Sequence, residues 1–399
     1  MTLAANMNVA TDQAAGGPFR VLIVDDSAVI RGIIARWLEE DSSIKVVATA
    51  PNGLAALRTV QRADAELVIL DIEMPEMDGL TALPKLIELV PDIQVIMAST
   101  LTKRNADISM RAIQRGAVDY IAKPETKSET AGSIDFRRDL LEKVKAFGAV
   151  LRRRRQQALP DGRSPQPQAA PPANARAATP RPAAVPTPLS AARQAPPQTL
   201  PWPPRHMPKL IAVGSSTGGP QALFEMMKAL APGLNVPVVI TQHMPPTFTA
   251  ILAEHLRRQT GLACAEAKDG ERLLPGHVYV APGDHHLIIG SQGRDAIARL
   301  DQSPPENFCR PAVDPMFRSA AKVFGDKVLA VVLTGMGQDG TSGARDIIAK
   351  GGAIIAQDEA SSVVWGMPGS IAKAGLCNTI LPLKEIGPKV HGLLKGATS

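Results

Sequence analysis

Aromatic residues are scarce, at 3% of 399 residues, although total hydrophobic content is an ordinary 45%. Val, Ile, Leu, Ala and Met must therefore fill the core. No stretch approaches the roughly 18 consecutive apolar residues that a membrane-spanning helix needs. The opening residues, MTLAANMNVATDQAAGGPFR, lack a basic start followed by an apolar run, which argues against a secretory signal. The three cysteines, Cys264, Cys309 and Cys377, are scattered and odd in number. They exclude a disulfide framework, do not have zinc-ligand spacing, and fit a reduced, cytoplasmic compartment.

Acidic residues are the minority, and the chain carries a net charge of +6. Part of the excess is the run Arg152, Arg153, Arg154 and Arg155, followed by five more arginines against one acid, Asp161, in a Pro-rich stretch. Such a run can contact nucleic acid, an anionic membrane or an acidic partner. Without interleaved aromatics, a solvated tail is the simpler expectation.

Three segments follow from the patterning. From Phe19 onward, RVLIV, IKVVATA, ELVIL, IQVIMAS and VDYIA read as buried strands between amphipathic helices, a doubly wound five-stranded parallel sheet. From Leu159 to Pro208 the alternation stops, and the stretch holds 15 of the 35 prolines. It reads as an extended tether with a reach of about 40 Å. From Lys209 the alternation resumes with KLIAVGSS, VPVVITQH, HVYVAPG, HHLIIG, KVLAVVLTG and GAIIAQD, a second, mainly parallel α/β domain. The expected units are 19–140, a connector of helix end and Pro-rich linker at 141–207, and 208–396.

Ligands gather at the carboxyl ends of parallel strands. In the first half those ends present Asp25 and Asp26, Asp71, Ser99 and Lys123. Three converging carboxylates are unfavourable without a divalent cation, and oxygen ligands at an open site suit Mg²⁺. A carboxylate beside that cation can act as nucleophile toward a phosphoryl group. VLIVDDSAVIR, LDIEMPEMDGL and AVDYIAKP closely resemble a response-regulator receiver domain. The resemblance implies Asp71 as phosphoryl acceptor, Asp25 and Asp26 with Asp71 and the Glu73 carbonyl as the Mg²⁺ pocket, Ser99 and Tyr120 as switch residues, and Lys123 as the phosphate-sensing lysine. It also implies a histidine kinase as phosphodonor.

In the second half, Gly214, Ser216 and Gly218 make the G-x-S-x-G spacing of a nucleophile elbow, in which glycines relieve a sharp strand-to-helix turn and leave a serine exposed. The spacing selects Ser216 over Ser215. His243 ends the next strand and Asp339 follows a later one, so three strand ends bring Ser, His and Asp to one crevice. Gly335, Gly337 and Gly340, with Asp358 and Glu359 further on, also satisfy a dinucleotide-binding pattern. Asp339 inside that loop would repel a pyrophosphate. A DNA-binding output is the other alternative, and no helix-turn-helix signature supports it. His285 and His286 lack partners at metal-ligand spacing and read as cleft rim or surface.

GSSTGGPQAL, TQHMPPTFT, VYVAPGDHHL, RPAVDPMF and LTGMGQDG resemble the catalytic domain of chemotaxis protein-glutamate methylesterases. The family implies a triad of Ser216, His243 and Asp339, with no cofactor at that site. It implies hydrolysis of glutamate methyl esters on chemoreceptors and deamidation of receptor glutamines. The expected setting is peripheral to receptor arrays, without membrane insertion or nucleic acid. Two departures stand out: Ser215 where the family usually has Ala, and Cys309 where it usually has His.

Overall fold

The computed structural model of the chain describes residues 17–123, 131–158, 199–203 and 207–396. The first sheet consists of β1 (Phe19–Val24), β2 (Ile44–Ala50), β3 (Leu67–Asp71), β4 (Gln94–Ser99) and β5 (Asp119–Ala122). Its order is β2-β1-β3-β4-β5, and every pairing is parallel. The chain adds β2 on one side of β1 and β3 on the other, so strand order reverses between β1 and β3, the crevice where such sheets bind ligands. Around it pack α1 (Ala28–Glu39), α2 (Gly53–Thr59), α3 (Gly79–Leu89), α4 (Lys103–Gln114) and α5 (Ala131–Ala158). The first four helices begin at Ser27, Asn52, Asp78 and Thr102, and each of these side chains accepts a backbone N–H of the first turn. Short polar residues at those positions fix where each helix starts.

The second sheet has seven parallel strands in the order β14-β13-β12-β6-β7-β9-β8. These are β6 (Leu210–Ser215), β7 (Val238–Gln242), β8 (Ala263–Glu266), β9 (His277–Val280), β12 (Val328–Val332), β13 (Ala353–Gln357) and β14 (Thr379–Leu381). A separate antiparallel hairpin joins β10 (His286–Gln292) to β11 (Asp295–Asp301). The helices are α6 (Gly219–Leu230), α7 (Phe248–Thr260), α8 (Val313–Phe324), α9 (Thr341–Ala349), α10 (Met367–Lys373) and α11 (Leu383–Leu394). The central strands β12, β6 and β7 are buried along their whole length, as their continuous apolar runs require. No described helix is long and apolar enough to cross a membrane.

Three expectations need correction. The arginine run is not a solvated tail: it forms the last turns of α5, which continues to Ala158. Arg152 donates to both carboxylate oxygens of buried Glu66 and stacks on Phe19, Arg155 reaches Glu66 and Asp92, and Arg153 pairs with Glu359 across the domain boundary. A buried carboxylate attracts whatever cation the adjacent helix offers. His286 is not rim: it is buried, with its ring bonded to the Pro304 carbonyl and the Ala312 N–H. The short strands β8, β11 and β14 and the helices α10 and α11 were not among the expected elements; α11 holds Gly387 and Pro388 in its interior, residues that read as helix breakers. Most of the Pro-rich tether, 159–198, lies outside the described residues.

The two domains are packed together in this structure. α4 lies against α7, and the Tyr120 ring stacks on Phe248 with centroids 4.4 Å apart. His255 of α7 is wedged between Asp107 and Gln114 of α4, at 2.9 Å and 2.7 Å.

Candidate functional site

In the first sheet, Asp25, Asp26 and Asp71 bring ligand oxygens within 4.8 Å of one another. Lys123 Nζ bridges two of them, 2.6 Å from Asp25 and 2.7 Å from Asp71. Burial pushes the Asp71 carboxyl above its usual range, against the pull of Lys123. One lysine cannot neutralise three carboxylates, so the donor set fits a hard divalent cation. Ser99 Oγ donates to the Thr100 carbonyl. Tyr120 is turned inward onto Phe248. The Glu73 side chain pairs with Arg104 at the surface. Gly79 is the close-approach point behind the acceptor, since a Cβ there would lie 2.0 Å from the Asp71 carbonyl.

In the second sheet, Ser216, His243 and Asp339 follow β6, β7 and β12, three hydrogen-bonded neighbours. Ser216 sits in the turn between β6 and α6, with Gly218 at φ 73° opening the helix. That left-handed position favours glycine. The Ser216 N–H donates to the Thr334 carbonyl, while Thr217 and Gly218 N–H groups have no partner among the described residues. Gly335 faces the serine, and a Cβ there would lie 2.9 Å from Ser216 Cβ.

Ser215 is separated from Ser216 by role as well as register. Its fully buried hydroxyl donates to Gln242 Oε1 at 2.7 Å. Gln242 Nε2 in turn donates to the carbonyls of Ser216 and His243. Gln242 thus ties two strand ends together, a role its sequence position did not signal.

His243 Nε2 lies 2.7 Å from Asp339 Oδ2. Asp339 also accepts the N–H groups of Val313, Asp314 and Gly340 and the amide of Asn307. Val313 and Asp314 are the first residues of α8, so Asp339 caps that helix from another loop. Asp314 accepts the Gly343 N–H in α9 at 2.7 Å, which returns the arrangement. Burial would raise the Asp339 carboxyl, but the bonds from His243 and these backbone donors hold it below the usual range. With Nε2 given to the carboxylate, Nδ1 is the nitrogen left for proton transfer. That nitrogen faces Cys309 Sγ at 3.5 Å. No hydrogen bond joins Ser216 Oγ to His243 among the described residues. Burial would depress the imidazole, yet the Cys309 sulfur and the Asp339 carboxylate raise it above its ordinary value. Asn307, Cys309 and Gln242 complete the site, and only Cys309 drew notice in the sequence.

The dinucleotide reading fails on the same geometry. Asp339 fills the glycine loop, Asp358 caps a turn at Ser361, and Glu359 is taken by Arg153.

The fold and the two strand-edge clusters define a receiver-type domain joined to a parallel α/β domain with Ser, His and Asp at its edge. Residues 21–135 match the response regulator receiver domain and residues 211–390 match the CheB methylesterase family. A protein-glutamate methylesterase/protein-glutamine glutaminase of Rhodospirillum rubrum is 52% identical over 96% of both chains. One from Azospirillum brasilense is 51% identical over 96% of this chain and 94% of its own. The crystal structure of the Thermotoga maritima CheB methylesterase catalytic domain is 43% identical, covering 47% of this chain and 98% of its own, with a TM-score of 0.46. The chain belongs to the CheB methylesterase family with an N-terminal receiver domain.

Proposed function

We propose that this chain hydrolyses glutamate methyl esters on chemoreceptors and deamidates receptor glutamines, and that Ser216, His243 and Asp339 do the chemistry. The observation that carries the reading is the His243–Asp339 pair beside the Ser216 turn, with full-length relatives that bear that activity's name. In the reaction, His243 Nδ1 accepts the Ser216 proton as Oγ attacks the γ-carbonyl. Nδ1 must first exchange Cys309 for the serine hydroxyl. Asp339 holds the Nε2–H tautomer and stabilises the imidazolium that forms. The Thr217 and Gly218 N–H groups, at the start of α6, are the donors for the oxyanion. The imidazolium protonates the leaving methanol or ammonia, and water then cleaves the acyl-enzyme with His243 as base again. Ester and amide pass through the same kind of tetrahedral intermediate, so one site serves both. The reading needs no cofactor at this site.

Asp71 is proposed as phosphoryl acceptor from a histidine kinase, with Asp25, Asp26 and the Glu73 carbonyl completing a Mg²⁺ pocket and Ser99, Tyr120 and Lys123 as switch residues. The cation would neutralise charge during transfer; Lys123 is already placed against the acceptor oxygen. The units are read as 19–140, 141–207 and 208–396, with α5 running on into the connector. We place the enzyme in the cytoplasm, at the receptors but not in the membrane, with no nucleic-acid role.

Control follows from the packing of α4 and β5 on α7, since His243 lies only five residues before Phe248. A change at Tyr120 on phosphorylation would reach the base through that stack. The deciding experiment is methanol release from methylated receptor, with and without a small phosphodonor. Ser216→Ala should abolish release while Asp71 still takes up phosphate. Release at the parental rate would sink the triad assignment.

A further inference from the structure

The triad is bordered by a four-residue turn whose tip the chemistry does not use. Glu306 and Cys309 exchange both backbone hydrogen bonds, at 3.2 Å and 2.9 Å. Between them Asn307 has φ 51° and Phe308 has φ 62°. Two left-handed central residues make a type I′ turn, which prefers Asn followed by Gly. Asn307 fits that preference and Phe308 does not, because a Cβ in the left-handed region crowds the following carbonyl.

The ring is also 86% exposed, the most of any large hydrophobic residue described. Strain and exposure together are unfavourable for folding, and neither helps the turn. The turn is held in place from both sides of the ring. Asn307 Nδ2 bonds Asp339, and Cys309 Sγ faces His243. Glu306 is paired with Arg318, and Arg310 with Asp284. Phe308 is therefore a rigidly mounted aromatic, flanked in sequence by residues that touch the base and its carboxylate. In the packed arrangement the guanidinium of Arg138, from α5 of the receiver, lies 5.5 Å from the ring centroid.

We propose that Phe308 is a specificity-determining residue that docks the receptor polypeptide, packing against apolar side chains beside the modified glutamate. The occupant is the substrate chain because the turn that carries the ring is fastened through Asn307 and Cys309 to Asp339 and His243, the pair beside which the ester must be held. In the packed arrangement Arg138 approaches one side of the ring and leaves most of it open to the receptor chain. The inference rests on the methylesterase reading above.

The test uses the full chain activated by a small phosphodonor, with methanol release followed against methylated-receptor concentration. Phe308→Ala should raise KM about tenfold, as truncation of an interface anchor does, with kcat lowered no more than about twofold. Phe308→Tyr should keep the parental KM. Phe308→Gly separates docking from structure: glycine suits the turn, so thermal stability should rise while KM rises as in the alanine variant. An unchanged KM in Phe308→Gly overturns the proposal, and so does a loss confined to kcat. Methanol release by Ser216→Ala would instead overturn the methylesterase reading itself.

Discussion

Asp71 and Asp339 are the same residue type at the same place, the carboxyl edge of a parallel strand at the crevice of its sheet. Burial pushes both carboxyls up, yet Asp71 ends above the usual range and Asp339 below it. The donors decide. Asp71 has Lys123 and one N–H, from Ile72, and it shares Lys123 with Asp25. Asp339 has three backbone N–H groups, the Asn307 amide and His243. The under-served carboxylate is the one that can accept new charge partners, as a phosphoryl acceptor must. The fully served one can only orient.

The helix starts show the same division. In the receiver, Ser27, Asn52, Asp78 and Thr102 cap α1 to α4 locally, leaving the carboxylates of the crevice free of that duty. In the second domain, Gly218, Ala312 and Gly340 precede α6, α8 and α9 without a side-chain cap. Carboxylates from other elements take the place of local caps at two of them: Asp339 accepts from the start of α8 and Asp314 from α9.

The largest effect tests whether Asp339 only orients. Asp339→Asn keeps the shape but offers an amide where His243 needs an acceptor, so the tautomer is lost. Ester hydrolysis should fall about 10⁴-fold. Phosphate uptake at Asp71 should persist, as the two crevices share no side chain. The matching change, Asp71→Asn, should do the reverse: no phosphate uptake, with basal hydrolysis retained. A variant pair that lost both activities together would break the comparison between an accepting and an orienting carboxylate.

A smaller effect is expected where the domains meet. Asp107→Ala with Gln114→Ala removes both partners of buried His255, and a net hydrogen bond contributes about 1 kcal/mol. The packed arrangement should weaken, and basal hydrolysis without a phosphodonor should rise about two- to tenfold. The ratio of stimulated to basal rate should fall correspondingly. A basal rate equal to the parent's would mean that the α4–α7 contact does not restrain the enzyme.

Both folds were legible because continuous apolar runs mark buried parallel strands, and strand ends then place the chemistry. Asp25, Asp26 and Asp71, and Ser216, His243 and Asp339, were expected at two crevices on that ground, and the structure gathers the first three and joins His243 to Asp339. Asn307, Gln242 and the paired duty of Asp314 were not, because the bonds to Asp339, Ser215 and Gly343 that give them their roles span 27 to 32 residues and the pattern carries no trace of them. The arginine run was misread because Glu66, which takes Arg152 and is reached by Arg155, is 86 residues from Arg152. Local composition suggested a solvated charge, and tertiary structure supplied a buried carboxylate.

Cys309 sharpens the comparison most finely, since it bears on the base rather than on the acid that orients it. Its sulfur lies on the nitrogen that takes the serine proton in the proposed reaction, and together with Asp339 it keeps the imidazole raised despite burial. A base works when neutral, so the rate climbs as pH rises through its pKa, and a raised pKa moves that climb to higher pH. Cys309→Ala removes one raising influence, and the acid limb of kcat/KM should move to lower pH by about one unit. The plateau at high pH should stay within about threefold of the parent, because Asp339 still orients the ring. Cys309→Ser tests whether a hydrogen bond is enough: its hydroxyl can still bond Nδ1, so a limb that returns toward the parental pH assigns the effect to that bond, and one that follows the alanine variant assigns it to the sulfur. A limb that stays at the parental pH in both variants would show that Asp339 alone sets the basicity of His243.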